Sequence, residues 1–161
     1  MKPHLRVVLF GFVSGLLWSI VPAFLSEIYK PFGQMVTVCL SGIICGIIVS
    51  YVLSGLLRNL GWKGSLVAGM LSLPLGAFVF GITISSIQLI VRSITGIAYR
   101  FVEHGFTPLQ NGLEYAFVSS VSVFAIALFP MAILTTFMLK KVCGSAQPSA
   151  AADAASNGPR R

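Results

Sequence analysis

The residues best suited to chemistry lie between positions 92 and 114. This segment combines acids, bases and a histidine, and its charged members and histidine are Arg92, Arg100, Glu103, His104 and Glu114. A carboxylate beside an imidazole can transfer a proton or bind a metal ion. On a helix, however, adjacent Glu103 and His104 would point about 100° apart. We therefore interpret the cluster as a polar face exposed at the outer surface, with an outer-face enzyme using Glu103 and His104 as the alternative.

The cysteines do not form a redox or zinc motif. No two of Cys39, Cys45 and Cys143 have the C-x-x-C spacing. Cys39 and Cys45 would point in different directions from one helix, so we expect both to act as small apolar residues. Cys143 follows two lysines at the end of an apolar stretch, where S-palmitoylation stays an open alternative. We expect no catalytic residue, no metal and no cofactor.

The distribution of charge predicts the class of protein. Lys and Arg number 11 and Asp and Glu number 4, and only 9% of the residues are charged. None of these charges lies in four stretches, 7–26, 31–57, 64–91 and 115–139. Each stretch exceeds the roughly 18 apolar residues that suffice to cross the hydrocarbon core of a bilayer. The sequence therefore predicts an all-α polytopic integral membrane protein whose first partner is the lipid bilayer.

We expect a four-helix transmembrane bundle within a membrane domain at 1–141. Its spans are predicted at about 5–26, 33–57, 64–91 and 113–139. The first span is longer than the apolar region of a signal peptide, so we expect it to be retained, with cleavage as the alternative. Residues 142–161 are rich in Ala, Ser, Gly and Pro and predict a disordered cytoplasmic tail.

A short amphipathic helix is expected between the third and fourth spans. Over 93–104, apolar residues recur with helical spacing, which is typical of a helix lying in the membrane interface. Thr107 and Pro108 then offer an N-cap and a proline at the first helical position. The fourth helix is therefore expected to begin well before its apolar stretch.

The basic residues predict how the chain is oriented. Although the net charge is +7, they occur singly or in pairs beside the apolar stretches, so we expect no binding of nucleic acid. One side of the membrane would receive Lys2, Arg6, Arg58, Lys63, Lys140 and Lys141, and the other Lys30, Arg92 and Arg100. This excess predicts an inner or plasma membrane protein with both termini in the cytoplasm.

Small residues four positions apart form a stripe along each of the first three spans. The stripes are Gly11, Gly15, Ser19 and Ala23 in the first span, Gly42, Gly46, Ser50 and Ser54 in the second, and Ala77, Gly81 and Ser85 in the third. Such stripes let helix backbones approach closely in lipid. They either hold the helices of this chain together or, in one case, face outward and bind another membrane subunit.

These features favour a role without catalysis. The four charge-free stretches contain no Asp, Glu, His, Lys or Arg, the side chains that ion-coupled transport and intramembrane catalysis commonly require. We expect a small membrane subunit or assembly factor that packs through its stripes against another membrane protein or against copies of itself. The alternative is a small transporter or channel component for an uncharged or lipophilic solute, with a cavity shaped by helix kinks at Pro74 and Pro130.

Overall fold

The architecture is entirely helical wherever the structure describes the chain. This computed structural model describes residues 3–25, 32–57, 59–96, 107–122 and 125–144. These ranges contain five helices and no strand: α1 (Pro3–Leu25), α2 (Phe32–Leu57), α3 (Trp62–Thr95), α4 (Pro108–Val121) and α5 (Ala125–Gly144).

Three helices long and apolar enough to cross a membrane support the prediction of a membrane protein. The segments long and apolar enough to cross a membrane are Met35–Leu57, Trp62–Thr95 and Ala125–Gly144. A shorter apolar segment, His4–Ile20, lies within α1. Large apolar side chains on all five helices are exposed, as expected of surfaces that contact lipid. The count of four spans stays a prediction.

One apolar cluster brings together the ends of four helices. Its buried members are Val7 of α1, Leu53 and Leu57 of α2, Ala68 of α3 and Leu139 of α5. Because α1 and α3 begin near this cluster while α2 and α5 end near it, the two pairs of helices run in opposite directions. We call this the basal end of the molecule.

α3 is the longest described helix and contacts α2, α4 and α5. Its 34 residues correspond to a length of about 51 Å, which exceeds the roughly 30 Å of a bilayer core. The N-terminal half of α3 packs against α5, and its C-terminal half packs against α4, as the contacts of Gly69 with Ile133 and of Gly81 with Gly112 indicate. Pro74 lies inside α3 and Pro130 inside α5, and both helices continue through the proline. The kinks stay a prediction.

The boundary expected for the interfacial helix differs from the structure. Residues 93–95 form the last turn of α3, which ends at Gly96 in the left-handed conformation with φ 69°. Glycine adopts that conformation without steric cost, and the Gly96 N–H donates to the Arg92 carbonyl at 2.9 Å. The remainder of the expected interfacial helix, 97–104, lies outside the described residues.

The fourth span, expected as one helix over 113–139, is divided in two. α4 begins at Pro108, and the predicted N-cap Thr107 forms a reciprocal capping box with Gln110. The helix stops at Val121 because Ser122 is extended, with φ −71° and ψ 155°. Just before this break, the Ser119 and Ser120 hydroxyls both donate to the Ala116 carbonyl. Thr83, Ser85 and Ser86 make the same kind of bond within the unbroken α3, so these bonds do not by themselves end a helix.

The C-terminal boundary also differs. The last helix continues to Gly144, so residues 142–144 are helical and do not belong to the expected tail. Lys140 contributes to this extension because its side chain holds the end of α5 against the turn that precedes α3. Residues 145–161 lie outside the part of the chain that the structure describes.

Candidate functional site

The stripes of α1 and α2 face each other. A Cβ atom added to Gly11 would lie 2.7 Å from the Gly46 carbonyl oxygen, and one added to Gly42 would lie 2.7 Å from the Gly15 carbonyl oxygen. Real Cβ atoms do not approach so closely, so only glycine permits this contact of backbones. The four glycines therefore hold α1 and α2 together as an antiparallel hairpin.

The serines of these two stripes are buried, and Ser19 and Ser54 are bonded within their own helices. Ser19 lies beside Gly42, and its hydroxyl donates to the Leu16 carbonyl at 2.6 Å. Ser54 donates to the Tyr51 carbonyl at 2.8 Å, and Ser50 is also buried. Ala23 belongs to α1, but its side chain lies outside the described residues.

The third stripe faces α4. A Cβ atom on Gly81 would lie 2.8 Å from the Asn111 carbonyl oxygen and 2.9 Å from the Gly112 Cα atom. Ser85 is buried one turn further along α3, and Ala77 is half-buried one turn before. The glycines of all three stripes thus lie at contacts within this chain, where they are unavailable to a partner.

A polar contact continues the third stripe. We use this name for the hydrogen-bonded pair of Ser85 and Asn111, which are both buried, as is Gln88 further along α3. The Asn111 side-chain Nδ2 donates to the Ser85 hydroxyl at 2.7 Å, and that hydroxyl donates to the Gly81 carbonyl at 2.8 Å. Gln88 lies three residues after Ser85 and hence on the same face of α3. Its Oε1 atom has no hydrogen-bond partner among the described residues.

Sequence reasoning overlooked Asn111 because it lies within a polar connecting segment. The sequence nevertheless contains a signal that places Asn111 on a helix. The N-cap at Thr107 implies a helix from Pro108, and Asn111 then lies in its first turn next to a small residue, Gly112. Buried asparagine and glutamine side chains between membrane helices commonly hydrogen-bond across the contact.

The predicted outer cluster is described only in part. Arg92 on α3 and Glu114 on α4 are both exposed. Arg100, Glu103 and His104 lie outside the described residues, so their proximity stays untested. Within the ranges that are described, no three His, Cys, Asp or Glu side chains come together as metal ligands would.

Lys140 forms a second polar connection at the basal end. Its Nζ atom donates to the Leu60 carbonyl at 2.6 Å and to the Ser65 hydroxyl at 2.8 Å. Ser65 is fully buried, so this lysine ties α5 to the turn between α2 and α3. The sequence predicts only the side of the membrane on which Lys140 lies, because counting charges carries no information about hydrogen bonds.

The cysteines take separate positions. Cys45 is buried and its thiol donates to the Gly76 carbonyl at 3.2 Å, which joins α2 to α3. Cys39 is half-buried on α2, and Cys143 packs against the basal apolar cluster.

Comparison with known proteins gives no relative on which to base a function: no protein-family model, curated protein or solved structure matches this chain.

Proposed function

We propose that the protein is a non-enzymatic subunit or assembly factor of a membrane complex. It would cross an inner or plasma membrane several times, with both termini in the cytoplasm. The observation that carries this proposal is the use of the glycine stripes inside the chain. The folded bundle then presents mainly large apolar side chains to its surroundings, a surface suited to contact with lipid or another membrane protein.

The partner contact is proposed for α4 rather than for a glycine stripe. Within the described residues α4 packs on α3, touches α5 only slightly and has no contact with α1 or α2. Its outward face carries four apolar side chains at four-residue spacing, which are the exposed residues Leu109, Leu113, Phe117 and Val121. A helix of 14 residues is about 21 Å long and cannot cross the bilayer core alone, so packing against a further helix would stabilise it.

Photocrosslinking in intact membranes tests this proposal. A photoreactive amino acid at Phe117, which is 67% exposed, is compared with one at Leu71, which is 61% exposed on α3. We expect a discrete protein adduct from position 117 and lipid adducts alone from position 71. The adduct's partner, or a second copy of the chain, should also co-purify at fixed stoichiometry without crosslinking. Lipid adducts alone from both positions would contradict the proposed contact.

A second candidate function is transport of a small uncharged solute. It is favoured by the buried hydrogen bond between Asn111 and Ser85, which places polar side chains between α3 and α4. Polar side chains between membrane helices are one way to line a solute site. The buried side chains there are an amide and a hydroxyl, which suit hydroxylated solutes rather than ions.

Flux through proteoliposomes distinguishes this candidate from the first. Purified protein would accelerate glycerol entry, measured by light scattering, and Asn111→Leu would reduce it. Glu114→Gln serves as the matched control because Glu114 is exposed on the same helix. If the rate equals that of empty liposomes, autonomous transport of this solute is excluded while the subunit proposal is unaffected.

A further inference from the structure

The basal end of the molecule brings basic residues together from three helices. Its described basic residues are Arg6 on α1, Lys63 on α3, and Lys140 and Lys141 on α5. The described stretches 3–10, 59–70 and 136–144, which belong to this end, contain no Asp or Glu. The described part of the basal end therefore carries an excess of positive charge.

The three lysines differ in what they contact. Lys140 Nζ is engaged with the Leu60 carbonyl and the Ser65 hydroxyl. Lys63 and Lys141 are exposed, and their ammonium groups form no hydrogen bond or ion pair with the residues that the structure describes. These two lysines can therefore bind an anion from outside the chain.

Lys141 lies at the basal end of an exposed apolar face of α5. Met138, Leu134 and Met131 precede it by three, seven and ten residues, so they lie on the same side of the helix. All three side chains are exposed. The face extends about 15 Å from the lysine, which is half the roughly 30 Å of a bilayer core and hence the depth of one leaflet.

The arrangement recurs on α3, which runs in the opposite direction. Val67 and Met70 follow Lys63 by four and seven residues, and both are exposed on its side of the helix. Trp62, beside the lysine, is also exposed, and tryptophan is enriched at the level of the lipid headgroups. On both helices a cation is thus followed, toward the interior of the bilayer, by apolar side chains that face outward.

We propose that the basal end selects anionic phospholipids. Each of Lys63 and Lys141 would bind a headgroup phosphate, and an acyl chain of the same lipid would pack along the apolar face of that helix. A soluble anion would use the charge but not the apolar face, and a zwitterionic lipid would bring its own cation to the lysine. The proposal is independent of the role as a subunit, because the proposed partner contact lies on α4.

Quenching of a single tryptophan by brominated lipids tests the site on α5. The reporter is Leu134→Trp in a chain that also carries Trp18→Phe and Trp62→Phe. It is reconstituted in phosphatidylcholine mixed with either brominated phosphatidylglycerol or brominated phosphatidylcholine. We expect phosphatidylglycerol to bind beside the reporter more tightly than phosphatidylcholine. Lys141→Gln should lower this preference roughly fivefold, as expected for the loss of one basic residue near the membrane surface, and Lys141→Arg should retain it.

A reporter at Ile126 provides the matched control. Leu134 is 58% exposed and Ile126 is 80% exposed on the same helix, but Ile126 lies 15 residues from Lys141, at a distance of about 22 Å. We expect Lys141→Gln to leave lipid binding at Ile126→Trp unchanged. Equal binding of the two lipids at Leu134→Trp would overturn the proposal, as would a preference that survives in Lys141→Gln.

Native mass spectrometry keeps the proposal testable if the reporter variants fail to fold. The chain with its own residues is released from nanodiscs that contain equal amounts of phosphatidylglycerol and phosphatidylcholine. We expect phosphatidylglycerol to be retained in excess on the protein, and less of it on a variant with both Lys63→Gln and Lys141→Gln. Equal retention of the two lipids by the unsubstituted chain would overturn the proposal.

Discussion

The side chain of Asn111 on α4 donates a hydrogen bond of 2.7 Å to the hydroxyl of Ser85 on α3, and both residues are buried. The same α3 hydroxyl donates to the carbonyl of Gly81, the residue against which the α4 backbone packs. One polar bond and one glycine contact thus act at the same place in the contact of α3 with α4, which also includes the rings of Phe80 and Tyr115, whose centroids are 5.9 Å apart. Among the described helices α4 otherwise touches only α5, and only slightly, so its attachment depends on α3.

The bond between Asn111 and Ser85 should be measurable by a double-mutant cycle. Asn111→Ala, Ser85→Ala and the double variant are compared by unfolding in mild detergent. We expect a coupling energy of about 0.6–1.7 kcal/mol, the range found for hydrogen bonds between membrane helices. Asn59→Ala, at an exposed turn residue, should leave stability unchanged. A coupling energy near zero would show that the bond does not hold α4.

Substitutions at two glycines of α3 should differ sharply. Gly81→Ala forces α3 and α4 apart, because the new methyl group would meet the Asn111 carbonyl oxygen. We expect a loss of about 1–3 kcal/mol, as for other overpacked contacts. Gly76→Ala on the same helix meets no atom within 4 Å and should be neutral or slightly stabilising. The thermal unfolding midpoints of the two variants are compared in lipid nanodiscs. Equal midpoints would contradict the close contact of Gly81 with α4.

The hairpin of α1 and α2 allows a second matched pair of glycine substitutions. Gly46→Leu would place a large side chain against Gly15, whereas a Cβ on Gly55 of the same helix meets nothing within 4 Å. We expect Gly46→Leu to prevent stable folding of the hairpin and Gly55→Leu to be tolerated. Protease resistance and monodispersity after purification report the outcome. A well-folded Gly46→Leu protein that loses only a partner would mean that this stripe faces outward.

A comparison of Lys140 with Lys141 distinguishes the effect of hydrogen bonding on stability from the effect of charge. Both lie at the basal end of α5, but Lys140 binds Leu60 and Ser65 while Lys141 is exposed. Lys140→Met should lower stability by about 1.5–3 kcal/mol, the range for hydrogen bonds to charged groups. Lys141→Met removes the same charge and should have little effect. The free energy of unfolding is measured for both variants. An equal decrease in both would indicate that Lys140 acts only through its charge.

The orientation is testable with single cysteines in a background lacking Cys39, Cys45 and Cys143. Trp62 lies at the basal end and Thr107 is the N-cap of α4, and both side chains are exposed. If the basal end is cytoplasmic, a membrane-impermeant maleimide should label a cysteine at position 107 in intact cells. Position 62 should react only after permeabilisation. The reverse pattern would place the termini outside.

The helical class could be predicted because it depends on a summed property, the length of each charge-free stretch. The spans predicted at 33–57 and 64–91 lie within helices that the structure contains. The break at Ser122 could not be predicted in this way, since its residues are as uncharged as those on either side.

The candidate site was predicted less completely. Spacing indicated that Gly11, Gly15, Gly42, Gly46 and Gly81 permit close approach of helices. It did not indicate which helix each glycine would face, because a stripe has the same spacing whether its partner belongs to the same chain or another. Asn111 was overlooked for a related reason: its role depends on a contact with Ser85, 26 residues away along the chain.

The division of the fourth span has a consequence for biosynthesis. α5 is long and apolar enough to enter the bilayer by itself, as are α2 and α3, whereas α4 is short and carries Asn111 and Glu114. A nascent chain would thus commit its apolar helices to lipid first. α4 would join only once α3 offers it a glycine and a hydroxyl, so its docking would be a stage separate from the insertion of the apolar helices.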